Sequence, residues 1–183
     1  MNRRGFIKYI FFITNLLIHP NLLTAMTFSL PKEGNPAPTF KLEGITEDSS
    51  SKTQWSNQGL LGRWVVLYFY PKDFTSGCTL EAKGFDRLTN EFKSLNTQIL
   101  GISADSIEDH KSFCSKEKLS YPLLSDKKGE TSKAYGSWKE PFSLRNTFLI
   151  NPEGKIEKKW LGVRPVSHPM EVLETIKGLQ NKT

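Results

Sequence analysis

Only two cysteines, Cys78 and Cys114, occur in the 183 residues of the chain. Two are too few for a disulfide scaffold or for a typical structural zinc site. A chain of this length can bury enough apolar surface to fold without disulfides or metals. We therefore expect no metal and no cofactor, and we interpret the cysteines as reactive thiols or as the two ends of one bridge.

The chain also lacks a run of basic residues with interleaved aromatic residues, a pattern typical of nucleic-acid binding. Its formal net charge is +6, and three of the positive charges, Arg3, Arg4 and Lys8, lie near the N-terminus. In the rest of the chain the lysines and acidic residues are interspersed, which is typical of a solvated surface. We expect no nucleic-acid partner.

A long apolar run is missing as well. The apolar stretch from Tyr9 to Ile18 is interrupted by Thr14 and Asn15, whereas a membrane-spanning helix needs about 20 apolar residues. Residues 3–8 read RRGFIK, which resembles the twin-arginine export signal. A positively charged start before a short apolar core is typical of a signal peptide.

We therefore divide the chain into a signal peptide or anchor, residues 1–26, and one domain, residues 27–183. The best cleavage position follows Ala25, but Leu23 stands where a small residue is expected, so removal and retention both stay open. A hydrophobic first helix of the fold is the alternative, and Pro20 would break it. We expect export to the periplasm, or to a thylakoid lumen if the source is photosynthetic. Any membrane contact would come through an uncleaved N-terminal segment.

Hydrophobic patterning in residues 27–183 predicts a domain of the α/β class. A continuous β-branched and aromatic run at Trp64–Tyr70 indicates a strand buried on both faces. The predicted strands are residues 40–45, 64–70, 99–103, 123–124, 147–150 and 155–160, and the predicted helices are residues 79–92, 106–118, 128–135 and 168–179. Ser106 is the expected N-cap of the second helix. This order predicts a thioredoxin-like fold with a central mixed sheet flanked by helices.

Cys78 follows a glycine at the predicted start of the helix after the central strand. The first N–H groups of a helix have no partner within the helix, and the helix dipole is positive there, so a thiolate is favoured. The thiolate, not the thiol, is the nucleophilic form of cysteine. We therefore predict that Cys78 is the reactive residue.

The residues around Cys78 resemble those of the peroxiredoxins. Pro71, Thr75 and Cys78 form the P-x-x-x-T-x-x-C loop with every spacing intact. Residues 68–82, YFYPKDFTSGCTLEA, are similar to the Q-type branch, also called the bacterioferritin-comigratory type. The resemblance continues in order at Ala37–Phe40 (APTF), Gly62–Leu67 (GRWVVL), Pro122–Asp126 (PLLSD) and Arg145–Ile150 (RNTFLI).

This resemblance implies a thiol peroxidase that reduces hydrogen peroxide and organic hydroperoxides. Cys78 would be the nucleophile that becomes a sulfenic acid, Thr75 would hydrogen-bond the thiolate and the peroxide, and Pro71 would shield the thiolate. Arg145 would bring a fixed cation to the breaking O–O bond, and Glu81 matches a family position that orients the arginine. The alternatives are a cap for Thr75, a surface ion pair for Arg145 and a favourable dipole contact for Glu81.

The second cysteine departs from a common Q-type pattern, in which a resolving cysteine lies five residues after the nucleophile. Lys83 occupies that position, so the remaining candidate is Cys114, on a predicted helix where some family members carry the resolving residue. The resemblance then implies a Cys78–Cys114 disulfide that a thioredoxin-like donor reduces. An ordinary buried cysteine is the alternative.

Disulfide formation requires Cα atoms roughly 4.4–6.8 Å apart, and we expect the two helices to be farther apart in the reduced protein. Local unwinding of both helices would then be part of the cycle. We expect Cys114 to share a face with Ile107 and His110 that points toward the body of the protein. Because Q-type relatives are often monomers, the resemblance implies a monomer.

Other cysteine-dependent functions fit the sequence less well. A disulfide reductase needs C-x-x-C, but Glu81 stands where the second cysteine would be. A copper carrier on this fold needs C-x-x-x-C, and Ala82 fills that position. A Cys–His hydrolase needs an imidazole near Cys78, which leaves His110 and His168 as candidates. An exported disulfide oxidoreductase or a redox-inactive binding module remains the alternative to the peroxidase.

Overall fold

The structure is a computed structural model that describes residues 30–46 and 53–181. The predicted signal peptide or anchor, residues 1–26, lies outside the described residues. The strands are β1 (Lys41–Ile45), β2 (Thr53–Ser56), β3 (Trp64–Phe69), β4 (Thr97–Ser103), β5 (Leu123–Ser125), β6 (Trp138–Lys139), β7 (Phe142–Ser143), β8 (Thr147–Ile150) and β9 (Ile156–Trp160). The helices are α1 (Ser76–Arg87), α2 (Thr89–Ser94), α3 (Ile107–Glu117), α4 (Glu130–Ala134) and α5 (His168–Gln180).

Seven strands form one mixed sheet in the order β2-β1-β5-β4-β3-β8-β9. The three central strands β3, β4 and β5 are parallel, with Val66 beside Ile99 and Ile102 beside Leu124. The outer strands join antiparallel. Parallel neighbours need long crossover connections, and α1 with α2 supplies the first and α3 the second. The predicted α/β class and the central mixed sheet flanked by helices are confirmed.

Strand β3 lies between the two layers of the core. Side chains alternate across a strand, so Val66 and Tyr68 pack into one apolar cluster with residues of α1, α3 and α5. Leu67 and Phe69 pack into a second cluster on the opposite face, with residues of β8 and of the segment that precedes β1. Because both faces are covered, the strand is apolar along its whole length.

The helix predicted for residues 79–92 is two helices in the structure. α1 begins three residues earlier, at Ser76. At Leu88 the backbone has φ −103° and ψ 8°, and the Leu88 N–H bonds to the Phe85 carbonyl at 3.1 Å, which ends the α-helical ladder. The apolar spacing hides this break, since Phe85 and Phe92 are buried in the same cluster on either side of it.

Helix α3 begins where the sequence predicts. The Asp109 N–H donates to the Ser106 hydroxyl oxygen at 3.1 Å, and the Ser106 N–H donates to the Asp109 carboxylate at 3.4 Å. This reciprocal capping box satisfies two donors of the first turn. Ile107, His110 and Cys114 are buried on one face of the helix, as predicted.

The sequence does not predict three short strands. β2 lies at the edge of the main sheet and pairs with β1. β6 and β7 form a separate hairpin of two residues each, between α4 and β8. Within residues 30–46 and 53–181, no helix has the length and apolar character needed to cross a membrane.

Candidate active site

Cys78 lies in the first turn of α1, on the loop that leaves the end of the central strand. Thr75 is the N-cap residue, with an extended backbone, and its carbonyl accepts the Thr79 N–H at 2.9 Å. The Cys78 side chain is buried, with 1% of the residue exposed. The predicted position of this cysteine at a helix N-terminus is confirmed, and unpaired N–H groups of the first turn favour an anion there.

Arg145 reaches Cys78 because of the strand order. β8 pairs antiparallel with β3, and Thr147 lies opposite Tyr68, so the chain entering β8 runs beside the end of β3. Arg145 stands two residues before Thr147 and therefore faces the loop that carries Cys78. Its Nη2 donates to Cys78 Sγ at 3.3 Å.

Glu81 holds the other side of the same guanidinium. Arg145 Nη1 donates to Glu81 Oε2 at 2.5 Å, and the Glu81 side chain is completely buried. Burial raises the pKa of Glu81 to about 7, although the attraction of Arg145 acts in the opposite direction. Burial alone would lower the pKa of Arg145, but the negative charges of Glu81 and Cys78 raise it above its usual value. The guanidinium therefore remains charged beside the sulfur.

Gly77 is a site residue that the sequence argument did not single out. A Cβ atom at this position would lie 3.3 Å from Arg145 Nη2 and 3.6 Å from Pro165 Cγ. The first of these contacts is tighter than usual and the second is ordinary, so a side chain would require the guanidinium to shift by a few tenths of an ångström. The glycine immediately before the cysteine is the signal that could have identified this requirement.

Thr75 and Pro71 shape the loop before the cysteine. The Thr75 hydroxyl donates to the Lys72 carbonyl at 3.0 Å, and its oxygen keeps lone pairs that can accept. Pro71 is half-buried and, with Lys72 and Phe142, lines a surface pocket of about 440 Å³. The roles predicted for these two residues toward the sulfur and the peroxide stay predictions.

Cys114 is buried within α3 and has no exposed surface. Its Sγ is 3.9 Å from the Ile45 carbonyl oxygen. Neither cysteine takes part in a disulfide, and both belong to the apolar cluster on the α1 and α3 side of the sheet. The burial of Cys114 keeps its sulfur out of contact with solvent while α3 stays folded.

Two histidines that the sequence left open make contacts away from Cys78. His110 Nδ1 lies 2.8 Å from Asp73 Oδ2, and its Nε2 lies 3.2 Å from the Leu124 carbonyl oxygen. His168 Nε2 lies 2.8 Å from the Thr147 hydroxyl. These contacts do not form the Cys–His pair that a hydrolase requires.

Metal-ligating atoms come together at one place among the described residues. One ligand atom each from Asp73, Asp105 and His110 lie within 4.8 Å of one another. Asp105 Oδ2 accepts the Asp73 N–H at 2.9 Å and the Ser103 hydroxyl at 2.6 Å. The polar atoms of the group are thus engaged with each other and with neighbouring protein atoms.

Cys78 lies in the first turn of a helix that follows the central strand of a mixed sheet, and Arg145 donates a hydrogen bond to its sulfur. This arrangement defines a thiol-dependent oxidoreductase of thioredoxin-like fold. The family model described as the AhpC/TSA family matches residues 34–159, more than half of the chain. The chain belongs to this family. A likeness over this much of the sequence covers the loop, both cysteines and Arg145.

Individual relatives agree with this assignment. Peroxiredoxin Bcp of Xanthomonas campestris is 37% identical over 150 residues, which cover 78% of this chain and 92% of the relative. A structure of PrxQ from Xylella fastidiosa superposes with a TM-score of 0.76 at 33% identity, covering 83% of this chain and 99% of that one. Two structures of peroxiredoxin Q from X. campestris, each with one cysteine replaced by serine, have TM-scores of 0.70 at 35% identity, covering 76% of this chain and 90% of theirs.

These relatives are Bcp and PrxQ peroxiredoxins, and their solved structures have the thioredoxin fold. The predicted resemblance to the Q-type peroxiredoxins and the thioredoxin-like fold are confirmed. The chain is a thiol peroxidase, an oxidoreductase. Neither the binding module nor the disulfide oxidoreductase is favoured by these comparisons.

Proposed function

We propose that Cys78 is the peroxidatic nucleophile of this thiol peroxidase. The Cys78 thiolate attacks one oxygen of a hydroperoxide, the O–O bond breaks, and Cys78 becomes a sulfenic acid. The second oxygen takes up a proton and leaves as water or as an alcohol. The contact of 3.3 Å between Arg145 Nη2 and Cys78 Sγ carries this proposal.

Arg145 and the start of α1 supply the electrostatic part of the reaction. Negative charge moves from the sulfur to the departing oxygen as the O–O bond breaks. A fixed cation and oriented N–H donors stabilise charge where it develops and need no reorganisation during the step. Glu81 holds the guanidinium in place, so we assign Glu81 a positioning role.

Thr75 and Pro71 form the wall of the peroxide site in this proposal. The Thr75 hydroxyl oxygen can accept a hydrogen bond from the incoming hydroperoxide, since its own proton is donated to the Lys72 carbonyl. Pro71 has no N–H and brings an apolar ring to the loop, which limits the access of water to the thiolate. Both roles follow from the resemblance.

Cys114 is the resolving residue in our proposal. Its thiolate attacks the Cys78 sulfenic sulfur, an S–S bond forms, the S–O bond breaks, and water leaves. The spacing supports this pairing, because the two cysteines replaced in the X. campestris structures are separated by the same number of residues as Cys78 and Cys114. The burial of both cysteines implies that the loop and α3 unwind locally before the bond forms.

A thioredoxin-like donor completes the proposed cycle. Its thiolate attacks the Cys78–Cys114 disulfide and restores both thiols by exchange, with the donor leaving as a disulfide. Hydrogen peroxide and organic hydroperoxides are the proposed substrates. We also propose that the protein is a monomer, and that residues 1–26 direct export to the periplasm or to a thylakoid lumen, with cleavage or retention as an anchor.

The consumption of hydrogen peroxide in the presence of thioredoxin, thioredoxin reductase and NADPH tests this function. Wild type should turn over, and Cys78→Ser should be inactive with an unchanged far-ultraviolet spectrum. Cys114→Ser should react once and then stop with thioredoxin, because no disulfide forms for exchange. Full steady-state activity of Cys78→Ser would exclude the proposed nucleophile.

A further inference from the structure

A buried polar pair joins the loop that carries Cys78 to the helix that carries Cys114. Asp73 on the loop and His110 on α3 have side chains that are 1% and 0% exposed, with His110 Nδ1 2.8 Å from Asp73 Oδ2. The Tyr70 hydroxyl donates to the other oxygen of Asp73 at 2.7 Å. The second ring nitrogen of His110 faces the Leu124 carbonyl at 3.2 Å. All polar atoms of this pair therefore have partners inside the protein.

Phe74, the next residue of the loop, has a strained backbone and packs against α3. Phe74 has φ of 61°, in the left-handed region that residues other than glycine avoid. Its ring packs against Phe113 with centroids 5.0 Å apart, and Lys116 Nζ lies 5.5 Å from the ring centroid. The contacts with α3 thus support a loop conformation that is strained at Phe74.

The positions of the pair in the chain connect both cysteines to it. Asp73 precedes Cys78 by five residues, and His110 lies one helical turn before Cys114 on the same buried face. Unwinding that turn of α3 to free Cys114 separates His110 from Asp73. Unwinding the loop to free Cys78 separates the same two side chains. One contact therefore opposes both movements that the disulfide requires.

We propose that Asp73 and His110 are positioning residues that set how fast oxidised Cys78 reaches Cys114. This inference rests on the proposed role of Cys114. While the pair is closed, the Cys78 sulfenic acid stays in the peroxide site, and a second hydroperoxide can oxidise it to the sulfinic acid and leave as water or alcohol. When the pair opens, Cys114 attacks the sulfenic sulfur and releases water. The stability of the pair thus determines which fraction of the Cys78 sulfenic acid becomes a disulfide and which fraction becomes sulfinic acid.

Weakening the pair should favour the disulfide. Removing one partner of a buried hydrogen-bonded pair leaves the polar atom of the other without a partner, which destabilises the closed arrangement. In His110→Gln and Asp73→Asn, the hydrogen peroxide concentration that converts half of Cys78 to sulfinic acid should rise about tenfold. Intact mass spectrometry of the full chain after oxidation, with thioredoxin, thioredoxin reductase and NADPH present, measures this fraction directly.

His168→Gln is the matched control, because it removes another buried histidine from a helix outside this contact. A general loss of stability would lower the melting temperature in all three variants, but only the two variants of the pair should shift the sulfinic acid midpoint. In the double variant Asp73→Asn with His110→Gln, the shift should be smaller than the product of the single shifts, as expected for residues in direct contact. If one single variant does not fold, the double variant, in which two amide side chains replace the pair, can be measured in its place.

Two results would overturn the proposal, and they are distinguishable. A sulfinic acid midpoint in the pair variants equal to that of wild type, with the disulfide still forming, would exclude the positioning role alone. Absence of any Cys78–Cys114 disulfide in oxidised wild type would exclude the resolving role of Cys114 and the proposal that rests on it.

Discussion

The chemistry of this site depends on the shape of one side chain, that of Arg145. Its guanidinium is planar and offers several donors in fixed directions. One nitrogen donates to Cys78 Sγ and another to Glu81 Oε2. A lysine presents a single ammonium and cannot hold this fork geometry. The arginine therefore combines a charge with an orientation that Glu81 fixes.

Arg145→Lys should lower kcat/KM for hydrogen peroxide by about 100-fold, because a transition-state donor loses its position. Stopped-flow measurement of the second-order rate constant for Cys78 oxidation by hydrogen peroxide tests this decrease. Arg63→Lys is the matched control, since Arg63 is exposed, and it should react at the wild-type rate. Equal rates for the two variants would exclude a role for the guanidinium fork.

Glu81 makes stability depend on pH. Its pKa rises from 4.5 to about 7 on folding, chiefly through burial, so the folded protein keeps a proton that the unfolded chain releases above pH 4.5. The free energy of unfolding of wild type should therefore fall, relative to Glu81→Gln, as pH rises from 4.5 through 7. The total change should be about 3 kcal/mol. Urea denaturation of both proteins at pH 4, 6 and 8 checks this, and a pH-independent difference would contradict it.

Residue-level prediction succeeded where a local motif carries the information. The apolar spacing from Thr79 onward and the glycine before Cys78 predict a helix that begins near Cys78, and the structure places Cys78 in the first turn of α1. The Asp73–His110 pair could not be predicted this way, because its members lie on separate elements and neither has a local signature. Their proximity is a consequence of tertiary packing.

At the scale of elements, the ends of the helices show which local sequence signals are sufficient to predict a helix boundary. Ser106, a favourable N-cap residue, predicts the start of α3 correctly. The boundary between α1 and α2 has no glycine, proline or capping side chain, so the continuous apolar spacing predicts one helix instead of two. The β6–β7 hairpin has strands of two residues, too short for an alternating pattern to develop.

Ser106→Ala should lower the free energy of unfolding by about 1 kcal/mol, because the N-cap hydroxyl no longer accepts the Asp109 N–H. Urea denaturation followed by circular dichroism gives the difference. Ser112→Ala makes the same change on the exposed face of the same helix, where alanine has the better helix propensity. An equal loss of stability in Ser112→Ala and Ser106→Ala would contradict the capping role of Ser106.

At the scale of the whole molecule, the sheet order brings the site together. The sequence predicts most of the strands, but their neighbours in the sheet depend on packing between distant segments. The pairing of β3 with β8 places Arg145 beside Cys78, although 67 positions separate them in the chain. This juxtaposition could be inferred only from the family resemblance.

The export that we propose depends on the first residues of the chain. Arg3→Lys with Arg4→Lys should keep the protein in the cytoplasm, because the twin-arginine pathway requires the paired arginines. Fractionation of cells followed by immunoblotting measures the distribution. Arg63→Lys with Arg87→Lys, two exposed positions of the domain, is the control and should be exported. Export of the Arg3 and Arg4 variant at the normal level would refute the signal.

The most direct test of the central claim is the intact mass of the protein under non-reducing conditions after one equivalent of hydrogen peroxide. Wild type should lose two hydrogens through a Cys78–Cys114 disulfide, Cys114→Ser should gain oxygen, and Cys78→Ser should keep its mass. If wild type and Cys114→Ser gain oxygen alike, Cys78 acts without Cys114. If Cys78→Ser is oxidised as readily as wild type, Cys78 is not the nucleophile and the account is wrong.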